Sequence, residues 1–223
     1  MTALKIDVKN YPTLVFDCDG VILNSNEIKT KGFHKVASQF GDKPANRLVQ
    51  YHLLNGGISR YKKFSYLFSD ILGRIPQQRD IDCLAKEYSE YVFQSLLNCE
   101  IASGLNALRD KTKSSTWMIV SGGDQVELNK VFAMRGLSDM FDGGIYGSPS
   151  SKEDILGNAI NENRLIKPGI FFGDSEYDYR AATSMHLDFA FVSGWTEMKG
   201  WERFCSDNKI IMLNRVTDVL LSR

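Results

Sequence analysis

Two aspartates, Asp17 and Asp19, stand where the apolar run Leu14-Val15-Phe16 ends. A buried strand that runs into acids opens there into a site. Side chains alternate along a strand, so Asp17 and Asp19 are expected on one side and Cys18 on the other. Carboxylates this close coexist at neutral pH when a cation lies between them or one holds a proton. Gly20 then frees the backbone to turn. Other chemistry-bearing residues follow later in the chain. Ser121 ends the run Thr116 to Val120, and Lys152 opens a helix. Asp174 follows Gly169-Ile170-Phe171-Phe172, with Asp178 four residues on. A cation is mildly unfavourable at a helix N-terminus, so Lys152 asks for a local reason. Several carboxylates, one hydroxyl and one lysine converging on a point suggest phosphoryl transfer. Hard oxygen ligands suit Mg²⁺. A lysine and a hydroxyl hold phosphoryl oxygens and offset their charge. One carboxylate can attack phosphorus, and a second can pass protons to and from the oxygens involved.

The elements that must bring these residues together are legible in outline. After the first strand, from about Asn24 to Asn98, the apolar spacing is helical. Phe33, Val36 and Phe40 share one face, as do Phe64, Leu67, Phe68 and Ile71, and as do Ile81, Leu84, Tyr88 and Val92. Breaks fall at Gly41 to Pro44, Asn55-Gly56-Gly57 and Gly73 to Pro76. From Ser103 onward helices alternate with short apolar runs, the last strand being Leu187 to Val192. Trp195 to Arg223 reads as helix and loop closing a sheet edge. Alternation implies an α/β fold with a parallel sheet and right-handed crossovers. In such sheets ligands bind at the carboxyl ends of the strands, where Asp17, Asp19, Ser121 and Asp174 stand. The expected division is an α/β core of residues 1–23 and 99–223 and a helical cap of residues 24–98.

Composition narrows the partners. The 223 residues carry 27 basic and 27 acidic side chains, a balance that argues against a general nucleic-acid surface. No apolar run reaches membrane-span length, and the N-terminus lacks a signal-peptide core. The four cysteines, Cys18, Cys83, Cys99 and Cys205, form no CxxC pair. They fit reduced thiols in a cytoplasmic protein. His34, His52 and His186 lack metal-ligand spacing.

Four short motifs carry a resemblance. Asp17-Cys18-Asp19-Gly20-Val21, Val120-Ser121-Gly122-Gly123, Lys152 in Ser151-Lys152-Glu153, and Gly173-Asp174-Ser175-Glu176-Tyr177-Asp178 resemble, in order, the four motifs of the haloacid dehalogenase (HAD) superfamily. The resemblance covers the whole core, and the helical block sits where the family places a helical cap. It implies a Rossmann-like parallel sheet flanked by helices. It implies Asp17 as nucleophile and Mg²⁺ ligand, Asp19 as general acid and base that offers the metal its backbone carbonyl, and Asp174 as a further metal ligand. Ser121, Gly122 and Lys152 would bind the phosphoryl group, and Asp178 would orient metal-bound water or Lys152. The acid at Asp19 argues for a phosphate ester as substrate. Two departures stand out: Asn24-Ser25 where the family often has Asp-Ser, and no proline beside Lys152.

The run Asn55-Gly56-Gly57-Ile58-Ser59-Arg60-Tyr61-Lys62-Lys63 resembles the substrate-specificity loop of capped phosphatases and of β-phosphoglucomutase. Arg60 and Lys63 lie three apart and share a helix face. That face either holds a second polar or anionic group of the substrate or is simply solvated. The expectation is a Mg²⁺-dependent phosphoric monoester hydrolase acting on a small phosphorylated metabolite, a sugar phosphate being one form, through an aspartyl-phosphate. A phosphomutase is the alternative, and a non-catalytic binding protein on the same scaffold comes behind both.

Overall fold

The computed structural model describes residues 6–220; residues 1–5 and 221–223, which fall in the expected core segments, lie outside them. The chain begins its sheet with β1 (Thr13–Phe16), buried along its whole length. It then leaves for a helical block: α1 (Asn26–Ala37), α2 (Asp42–Leu54), α3 (Arg60–Tyr66) with a π-turn at Leu67–Ile71, and α4 (Gln78–Asn98). It returns through α5 (Leu105–Lys111), β2 (Thr116–Asp124), α6 (Gln125–Met134), β3 (Ile145–Ser148), α7 (Lys152–Asn161), β4 (Gly169–Gly173), α8 (Glu176–Ser184), β5 (Asp188–Val192), α9 (Trp201–Asp207) and β6 (Ile211–Leu213). The sheet runs β3-β2-β1-β4-β5-β6, every pairing parallel.

Strand alternation decides which residues meet which layer. Leu14 and Phe16 of β1 join one apolar cluster with Trp117, Ile119 and Phe172, whereas Val15 joins Met118, Val120 and Phe171 on the other face under α7 and α8. Phe16 stacks on Phe172 with ring centroids 5.3 Å apart. The helical block buries its own aromatic group, with Phe33 4.5 Å from Tyr88 and 5.5 Å from Phe64. Its two connections run side by side. Asn24 N–H donates to the Glu100 carbonyl and Ala102 N–H to the Ile22 carbonyl, both at 2.9 Å.

Two elements differ from the expectation. β5 is not the last strand, because Ile211–Leu213 adds β6 at the sheet edge in register with Ala190 to Val192. Three residues with Met212 exposed carry too little periodicity to announce a strand. β2 also continues through Ser121-Gly122-Gly123 to Asp124, with a shift of register against β3 between Val120 and Asp124. The glycine pair is therefore an irregular end of the strand.

Candidate active site

β1 ends at Phe16, so the chain reaches Asp19 through a turn. Strand alternation does not govern where Asp19 points. The Cys18 carbonyl accepts from Ile22 and Leu23 N–H at 2.9 Å each. Gly20 has φ +80°, and a Cβ there would strike the Asp174 carboxylate and the Asn26 amide. Only glycine permits this approach of β1 and β4 tips. Cys18 is buried in the core, and burial raises its thiol.

The ends of β1 and β4 and the first turn of α8 bring three acids together. One oxygen each from Asp17, Asp174 and Asp178 lie within 4.8 Å of one another, all buried. Lys152, in the first turn of α7, is 1% exposed. Its Nζ donates to Asp178 Oδ1 and lies 2.9 Å from Asp17 Oδ1. Asp178 Oδ2 accepts from the Ser175 N–H at 3.1 Å and Oγ at 2.6 Å in a capping box. Both Asp178 oxygens are thus engaged. Asp174 Oδ2 accepts from Asn26 Nδ2 at 2.7 Å. Asn26 escaped sequence reading, since an amide opening α1 resembles any first-turn residue. Asp17 Oδ1 has the ion pair to Lys152, off the alignment of a hydrogen bond, and no hydrogen bond among the described residues.

Burial raises two of these acids, Asp17 and Asp174. Burial pushes Asp17 up to about 7, against the Lys152 charge and with help from Asp178 and Asp19. Burial, then the charges of Asp17 and Asp178, raise Asp174 well above the carboxylate range. Lys152 stays protonated because Asp17 and Asp178 outweigh its burial. An Asp17 oxygen with no aligned hydrogen bond and two acids resisting ionisation describe a place short of positive charge. The all-oxygen donor set fits Mg²⁺.

Asp19 stands apart from that group. Ser25 Oγ donates to its Oδ1 at 2.5 Å and Lys29 Nζ lies 3.7 Å away, while Asp19 and Asp17 line one cavity of about 600 Å³. Ser25 thus serves Asp19 although Asn24 replaces the family's acid. Ser121 is buried, its Oγ accepting from Gly123 N–H at 3.0 Å. Ser121, Gly122 and Lys152 border a small cleft beside the cavity. A Cβ on Gly122 would strike the Gly57 carbonyl, so the Gly56-Gly57 loop lies directly on the end of β2.

Arg60 and Lys63 are both buried, so the solvated-face reading does not apply. Arg60 grips Glu127 of α6 with two contacts, 3.0 and 2.5 Å, and donates to Ser89 Oγ at 2.6 Å. Lys29 adds a third cation–Glu127 contact at 3.1 Å. Glu127 therefore ties the helical block to the core. Lys63 Nζ instead lies 2.6 Å from His52 Nδ1. Burial alone would raise Glu127, but Lys29 and Arg60 hold it at about 2, below the ordinary 4.5. A carboxyl depressed in the fold contributes stability present above pH 4.5 and lost as pH falls toward 2. Glu127→Gln is expected to lower Tm at pH 7 and to flatten the acid loss of Tm below pH 4.5. Thermal melts of both proteins from pH 7 to 3 check this, and parallel curves would contradict it.

A family model for haloacid dehalogenase-like hydrolases matches residues 14–192. The chain belongs to that family. No match is found among curated protein sequences. This HAD-family chain is similar in fold to several solved structures. One is described as a predicted phosphatase from Clostridium acetobutylicum, 20% identical, with TM-score 0.71 over 94% of this chain and 96% of that one. Another is a β-phosphoglucomutase from Clostridium difficile, 20% identical, with TM-score 0.71 over 93% and 92%. A third is described as a predicted phosphoglycolate phosphatase from Haemophilus somnus, 15% identical, with TM-score 0.71 over 95% and 97%. Among the described residues no helix is long and apolar enough to cross a membrane.

Proposed function

We propose that this HAD-family hydrolase is a Mg²⁺-dependent phosphatase that cleaves a small phosphorylated metabolite through an aspartyl-phosphate on Asp17. The observation that carries the reading is the different setting of two acids in one cavity. Asp17 sits among Asp174, Asp178 and Lys152, whereas Asp19 is held separately by Ser25 and Lys29. A nucleophile needs the first setting and a proton carrier the second.

Asp17, Asp174 and the Asp19 backbone carbonyl would hold the metal, with Asp178 fixing Lys152. When bound, Mg²⁺ neutralises phosphoryl charge. Lys152, Ser121 and the Gly122 backbone orient the phosphoryl oxygens. An Asp17 oxygen attacks phosphorus, the ester bond breaks, and Asp19 protonates the departing oxygen. Asp19 then takes a proton from water, whose oxygen attacks the same phosphorus. The bond from phosphorus to Asp17 breaks and phosphate leaves. The Gly56-Gly57 loop on β2 shields the reacting group from bulk water.

A panel of phosphorylated metabolites assayed for phosphate release with Mg²⁺ tests the reading. Several kcal/mol of charge stabilisation are at stake, so exhaustive chelation should cost more than about 100-fold, restored by Mg²⁺. Full activity after chelation would remove the metal from the account. The similarity to a β-phosphoglucomutase favours phosphomutase as second reading. Isomerisation of a sugar phosphate without phosphate release would select it.

A further inference from the structure

Three buried cations line the cavity, and they are not equivalent. Lys29 and Arg60 are both committed to Glu127, and Lys29 also faces Asp19. Lys63, 2% exposed, has no carboxylate within ion-pair distance among the described residues. Its Nζ meets His52 Nδ1 at 2.6 Å and lies 5.2 Å from the Phe33 ring centroid. His52 Nε2 is 3.1 Å from Thr30 Oγ1, which donates to Glu197 Oε2 at 2.6 Å. A buried amine without a counter-anion is an incomplete pair. The place where that anion would come from is the cavity itself, which runs from Lys63 and His52 to Asp17 and Asp174.

We propose that Lys63, backed by His52, anchors a carboxylate at the end of the substrate remote from its phosphoryl group, while Arg60 is reserved for Glu127. The assignment rests on the phosphatase reading and names the class of ester it takes. A carboxylate suits the site better than a second phosphoryl group. One amine offsets one charge, and a dianion here would also face Asp19 and Glu197.

The anchor gathers its proton on binding. Burial holds Lys63 at about 7. Asp19 and Glu197 favour its charge, and Lys29 and Arg60 oppose it. Burial, then Lys63 and Lys29, keep the His52 imidazole neutral. The Tyr88 hydroxyl is turned to the Lys29 carbonyl at 3.3 Å. An incoming carboxylate adds the missing opposite charge and raises the amine. Above pH 7 carboxylate binding therefore takes up a proton and weakens as pH rises.

The test compares 3-phosphoglycerate with glycerol 3-phosphate, which differ only in carboxylate against hydroxymethyl. Wild-type kcat/KM is expected to favour 3-phosphoglycerate by roughly 10-fold or more at pH 7. That ratio should fall between pH 7 and 9, and Lys63→Met should erase it. Taking the ratio cancels the titration of Asp17 and of the phosphoryl group, which both esters share. Calorimetry on Asp17→Asn with Mg²⁺ at pH 8, in buffers of different ionisation heat, gives a second readout that keeps Lys63 and needs no turnover. Binding of 3-phosphoglycerate should take up close to one proton more than binding of glycerol 3-phosphate. Equal proton uptake, no preference in the wild type, or a preference that survives Lys63→Met overturns the anchor. If phosphate is released from both esters without preference, the anchor fails and the phosphatase reading stands. If the extra proton is taken up but neither ester nor p-nitrophenyl phosphate is hydrolysed, the anchor stands and the phosphatase reading fails.

Discussion

Asp17→Asn is expected to lower phosphate release by roughly 10⁴- to 10⁶-fold, the scale on which removing a group from a catalytic unit acts, while the protein stays folded. The amide keeps the volume of the carboxyl and cannot attack phosphorus at a useful rate. The fold should tolerate it because the carboxyl resists ionisation. Its buried setting lifts it to about 7, so asparagine mimics a form already populated near neutrality. Lys152 loses one partner but retains Asp178. Thermal melts should place the variant within a few degrees of wild type. Near-normal phosphate release from the folded variant would refute the nucleophile.

Asp19→Asn is expected to act differently, and the contrast identifies the role. Loss of a general acid and base costs about 10²- to 10⁴-fold. The loss should be large for alkyl phosphates, whose departing oxygen needs a proton, and smaller for p-nitrophenyl phosphate, whose departing oxygen does not. Hydrolysis of the aspartyl-phosphate still needs a base, so the aryl ester should give a burst of p-nitrophenol followed by slow turnover. Ser25 and Lys29 hold the side chain in place, and an amide can keep the Ser25 contact. Equal losses on both classes of ester, with no burst, would take the proton-transfer role away from Asp19.

The core of this arrangement was legible in the sequence because acids at the ends of apolar runs are rare and directional. Asp17 and Asp174 needed only the parallel-sheet rule to be placed together, and Lys152 and Asp178 needed only the first turns of the following helices. The contacts that were not legible depend on packing between distant elements. Glu127 looked like any first-turn acid of α6, favourable at a helix N-terminus. Its partners, Lys29 and Arg60, come from two other helices. The pairing of Lys63 with His52 joins α3 to α2 across the Asn55-Gly56-Gly57 break, so no periodicity links them. The basic spacing at Arg60 and Lys63 was visible, but which cation was already neutralised was not. β6 was missed because an edge strand of three residues takes its stability from pairing with β5.

The most direct test of covalent transfer through Asp17 is the stereochemistry at phosphorus. A thiophosphate ester made chiral with oxygen isotopes is hydrolysed in isotopically labelled water, and the configuration of the released thiophosphate is determined. Attack by Asp17 and then by water inverts phosphorus twice, so the account predicts net retention. Net inversion would mean that water displaces the leaving group in a single step and that Asp17 is not the nucleophile.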